Sequence, residues 1–128
     1  MAEALPEETI NKALRFAFGA GEHPWYTAER EVRGAKVLFR ALTDLELTKC
    51  DEAADVLSSP VGQARERQTH WLARSVVAVD GQELPDSIAW RLAHFHEMPG
   101  AYKKLVVDAY LEVQAEYESL LAEDALKN

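Results

Sequence analysis

The chain has 128 residues, 48% of them hydrophobic and 28% charged, and a net charge of −8, which is the size and balance of one globular domain. No apolar run approaches the roughly 18 residues a membrane-spanning helix needs, and the acidic surface opposes nucleic-acid binding driven by counterion release. The single cysteine, Cys50, excludes an intrachain disulfide framework and fits a reducing, cytoplasmic setting.

The opening residues MAEALPEETINKAL place acids early, with no apolar stretch before a small-residue cleavage site, so no signal peptide is expected. A first helix is predicted over 6–18. Pro6 suits its first turn, Glu7 and Glu8 its positive end and Gly19 its stop, with Ile10, Leu14 and Phe18 as the apolar stripe. The run GAGEHPWY at 19–26 reads as a loop whose Trp25 and Tyr26 fold back onto the core or form part of a binding surface. A second helix is predicted over 27–42, capped by Thr27 and striped by Val32, Ala35, Phe39 and Leu42. Gly34 inside it is explained by a close helix crossing.

Residues 43–48 form a connector, and a short helix over 49–57, capped by Thr48 or Asp51, ends at Ser58-Ser59-Pro60. A long helix is predicted over 61–79, with Val61, Ala64, Gln68, Trp71, Leu72, Ser75, Val76 and Val79 on one face. Its end, VVAV before Asp80-Gly81, also suits a strand entering a hairpin turn. The helix is preferred because the upstream period is continuous and the return segment is short and contains Pro85. Asp86 or Ser87 then caps a helix over 88–97, and Pro99 opens the last helix, to about residue 122. That helix carries the stripe Tyr102, Leu105, Val106, Ala109, Val113, Tyr117 and Leu120. The expected fold is therefore an all-α, single-domain bundle of about five helices spanning 1–128, with N-terminal helices over 6–57 and a helical core over 61–122.

No constellation for catalysis, metal or cofactor is visible. His94 and His96 are two apart and diverge on a helix, and Glu66 with His70 at i, i+4 lacks further ligands at a recognisable spacing. Cys50 has no histidine–acid partner nearby in sequence, and neither GxSxG nor GxGxxG occurs. The unusual feature is apolar surplus. Val107, Tyr110 and Leu111 lie off the core stripe of the last helix, and with Tyr102 and Val106 they nearly encircle it. Such a helix is either central in the bundle or docks a partner. Trp90 and Phe95 in the preceding helix add to this, so the candidate partner-binding residues are Trp90, Phe95, Tyr102, Val106, Val107, Tyr110 and Leu111.

One segment carries a family likeness. A helix ends in LARSVVAVDG, a proline-bearing turn follows, then RLAHFHEMPG, then a long helix opening YKKLVVDAYLEVQAEY. Ala73, Arg74, Ser75, Val79, Asp80, Gly81, Met98, Pro99, Leu105, Ala109, Tyr110 and Tyr117 hold the pattern, within about the last 55 residues. This resembles the small tail assembly chaperones of tailed bacteriophages and the related baseplate-hub assembly proteins. The resemblance implies a non-enzymatic chain in the host cytoplasm that binds a tape-measure protein or hub subunit, with neither nucleic acid nor membrane as partner and with homo-oligomers possible. The alternatives are a structural component of the tail, baseplate or neck retained in the virion, and an acidic protein-binding inhibitor that mimics DNA.

Overall fold

Residues 27–40, read above as a helix, contain a second period. Ala28, Arg30 and Val32, then Ala35, Val37 and Phe39, alternate two by two, the spacing of side chains on one face of a strand. In the computed structural model, which describes residues 26–127, this second period wins. Strands β1 (Thr27–Val32) and β2 (Ala35–Arg40) form an antiparallel hairpin. Arg33 and Gly34 connect them, both with positive φ, 49° and 85°, as a two-residue type I′ turn requires. A Cβ on Gly34 would meet nothing within 4 Å, so the glycine serves the backbone and not a helix crossing.

The chain continues through α1 (Asp44–Asp55) and α2 (Pro60–Ser75) to β3 (Val76–Val79) and β4 (Gln82–Glu83), then α3 (Ile88–Glu97) and α4 (Gly100–Lys127). The four strands make one antiparallel sheet in the order β1-β2-β3-β4. The all-α bundle of about five helices is thus corrected to an α+β fold. The predicted helix over 6–18 and Trp25 lie outside the described residues.

The helix predicted over 61–79 stops at Ser75. Val76 to Val79 pair with β2, with an irregularity between Leu38 and Phe39 that leaves Val77 as the extra residue on β3. Asp80 and Gly81, at φ 50° and 82°, make a second turn of the same kind. Pro85 is no obstacle, because the ladder pairs are only Ala78 with Glu83 and Val79 with Gln82. Val76 and Ala78, a β-branched and a small apolar residue that are buried here, gain a ladder and a core position together.

The start of α1 is also corrected, from residue 49 to Asp44. Thr43 is its N-cap, with a full capping box to Glu46. Glu46 in turn receives Arg40 from the end of β2. Ser59 caps α2 with Pro60 in its first turn, and Ser87 caps α3, as its sequence indicates.

Helix α4 packs on the first two strands and on α2. Its buried face runs through Lys103, Val106, Val107, Tyr110, Val113 and Gln114, rotated from the predicted stripe; Tyr102, Leu105 and Leu120 are exposed. Tyr26 lies half-buried, stacks on Tyr117 with ring centres 6.2 Å apart, and donates a hydrogen bond to Glu116. The core gathers Val37, Phe39 and Leu42 from the hairpin side, Leu72 and Val76 from α2 and β3, and the buried face of α4.

An apolar cleft as the candidate functional site

The first hairpin, β3, α3 and α4 converge without closing among the described residues. Val32, Ala35 and Val37 from the first hairpin, Val76 and Val79 from β3, Phe95 and Met98 from the end of α3, and Tyr102 and Val106 from α4 line a cleft of about 290 Å³. Arg33, in the turn between β1 and β2, stands at its rim with its guanidinium carbon 5.0 Å from the centre of the Tyr102 ring. The volume is near the lower end of the range usual for ligand sites, and the walls are apolar apart from Arg33.

Helix α3, which carries Phe95 of the cleft wall, is held at two places. Arg91 donates to the backbone carbonyls of Val76 (2.6 Å), Pro85 (2.8 Å) and Ala73 (3.2 Å), fastening α3 to the junction of α2 and β3. At the far end His96 meets Glu66 of α2 at 2.7 Å, and His70 meets the same carboxylate at 3.3 Å. Burial raises the Glu66 carboxyl, but its bond to His96 and the charges of His96 and His70 outweigh this and leave it below the usual range. Burial pushes the His70 imidazole down, and Glu66 does not restore it. Nearby Lys103 is buried, donates to Thr69 and to the carbonyl of Arg65, and has its pKa lowered by that burial.

Of the seven candidate residues, the cleft brings together Phe95, Tyr102 and Val106. Tyr102 is 48% exposed, while Phe95 and Val106 form the floor. Val107 (4% exposed) and Tyr110 (1%) belong to the core, where Tyr110 packs against Trp71 and donates to Gln114. Leu111, 43% exposed, and Trp90, which stacks on His94 at 3.7 Å, do not line the cleft. Val32, Arg33, Ala35, Val37, Val76, Val79 and Met98 were not foreseen. The signal for most of them was the period of two on either side of Arg33-Gly34 and the VVAV run before Asp80-Gly81.

Cys50 is buried in α1, and burial pushes its thiol up to about 11, so it stays protonated at neutral pH. Among the described residues no group of three or more histidine, cysteine, aspartate or glutamate side chains is placed to hold a metal. No helix of these residues is long and apolar enough to cross a membrane. No family model, curated protein or solved structure matches the chain.

Proposed function

We propose that this chain is a non-enzymatic binding protein that holds a partner polypeptide in the apolar cleft, and that its specific role is to chaperone the assembly of a bacteriophage tail or baseplate. The observation that carries the reading is the cleft itself: apolar side chains from the first hairpin, β3, α3 and α4 that the described residues leave uncovered, with Tyr102 half-exposed on its wall. Apolar surface of this kind lowers its free energy when another molecule covers it. The segment that resembles the tail assembly chaperones, 73–117, supplies the β3, α3 and α4 walls, and two of the residues that carry the likeness, Val79 and Met98, line the cleft. A net charge of −8 favours keeping an aggregation-prone tape-measure or hub subunit in solution while it waits for assembly, in the host cytoplasm.

The test is co-expression with the tape-measure and hub proteins of the encoding phage. The soluble yield of one of them should rise with this chain and fall back with Tyr102→Asp, a change on a half-exposed residue that leaves the core intact. The purified virion should lack the chain by mass spectrometry. A stoichiometric amount in the virion would replace the chaperone role by that of a structural tail component. No effect on either protein would end the reading.

A further inference from the structure

Arg33 is distinguished by the backbone it occupies and by the surface it faces. The two hairpin turns use the same left-handed pair of residues. At the β3–β4 turn the first of them is Asp80, a residue type that tolerates that conformation; at the β1–β2 turn it is Arg33. Arginine there holds an unfavourable backbone that asparagine or aspartate would hold more easily, and such positions gather where a side chain is needed for function.

The surroundings indicate what it is needed for. Arg30, Arg40 and Arg67 are each taken up by carboxylates. Arg33 forms no ion pair among the described residues, lies against the Tyr102 ring and is the charged residue of an otherwise apolar cleft, in a chain of net charge −8. The cleft also has an exit. Val32 and Arg33 also line a second groove between β1 and α4, of about 220 Å³, whose other walls include Glu31, Leu105, Asp108 and the Arg30–Glu112 pair. A chain filling the cleft can therefore pass Arg33 and continue, and need not end there.

We infer that the cleft takes an internal segment of the partner that presents large apolar side chains to Phe95, Met98 and Val106 and an Asp or Glu side chain to Arg33. This deepens the binding role proposed above and rests on it. The cleft volume of about 290 Å³ is close to twice the ~150 Å³ that accommodates a benzene ring, which leaves room for two aromatic- or leucine-sized groups. The carboxylate then meets a guanidinium that forms no ion pair among the described residues and that lies over the Tyr102 ring.

The probes are blocked, alanine-based helical peptides carrying Phe and Leu one turn apart, followed in the next turn by Glu, Gln or Lys. A fourth peptide lacks the acidic residue and ends in a free carboxylate. Each is titrated by fluorescence anisotropy against the full chain, Arg33→Asn and Tyr102→Asp. Asparagine suits the turn, so Arg33→Asn should fold at least as well, with a melting temperature equal to or above that of the parent. The Glu peptide should bind the parent about tenfold more tightly than the Lys peptide, and this preference should shrink to about twofold or less in Arg33→Asn. Binding without a charge preference, or a preference that survives Arg33→Asn, overturns the inference while leaving the apolar cleft as a binding site. Tightest binding by the free-carboxylate peptide assigns the contact to a chain terminus and overturns the internal segment. If no peptide binds, or if Tyr102→Asp binds all of them as well as the parent does, the cleft reading fails and this inference with it.

Discussion

Gln114 is nearly buried on α4 and bonds both backbone groups of Leu42 just beyond β2. Its Oε1 accepts from the Leu42 N–H at 2.7 Å, and its Nε2 donates to the Leu42 carbonyl at 3.1 Å. One amide thus does what a neighbouring strand would do, joining the end of the hairpin to the central helix. Gln114→Leu keeps the volume but leaves both Leu42 groups buried without a partner, and urea denaturation should register a loss of about 2–4 kcal/mol. The Glu66–His70–His96 group gives the molecule a pH dependence. His70 in the folded chain holds its proton less well than in the unfolded chain, whose imidazole titrates near the ordinary value of about 6.5. Its contribution to stability is therefore full above that pH and is lost as pH falls below it. The Glu66 carboxyl is likewise lowered on folding, so its contribution is present above the ordinary glutamate range and is lost as pH drops through its folded value. Both losses run the same way, so the urea midpoint should decline from pH 7 to pH 4, and the decline should be shallower in Glu66→Gln/His70→Gln. These polar residues are also why the stripe of α4 was misread from sequence: Lys103 and Gln114 belong to the buried face, and a rule that seeks apolar residues rotates the helix toward Tyr102 and Leu105 instead.

At the scale of elements, the helical reading failed where two periods coexist in the same residues. Val32, Ala35, Phe39 and Leu42 fit spacings of three and four, yet a helix through Arg33-Gly34 would forgo the turn that these residues make. In β3 the period inherited from α2 obscured a four-residue strand, although Asp80-Gly81 announced its turn. A strand becomes favourable only when its partner is present, and the partner of β3 is β2, some 40 residues earlier, which no local window contains. By contrast α3 was legible to its ends, because Ser87 and Pro99 act within one turn of it. The same division governs the cleft: its α3 and α4 walls were visible as surplus apolar residues, and its hairpin and β3 walls were hidden with the sheet. The hairpin turn gives a direct test. Gly34→Ala meets no steric neighbour, so any loss comes from the left-handed backbone alone, and thermal denaturation should show about 1–2 kcal/mol. An unchanged melting temperature would mean that residues 33–34 do not form this turn.

For the molecule as a whole, the sheet, α3 and α4 surround a cleft that the chain does not fill with described residues of its own, and the proposed occupant of that space is a partner. Arg91 fastens one end of α3 to backbone carbonyls while its other end depends on the contact between His96 and Glu66, so the wall carrying Phe95 and Met98 is the one best placed to adjust to what enters. The most direct measurement is amide hydrogen exchange of the full chain, alone and in complex with the tail component that it solubilises. Slower exchange on binding should concentrate in residues 32–37, 76–79 and 95–106. Slowing confined to α1 and the start of α2, with those cleft segments unchanged, would contradict it.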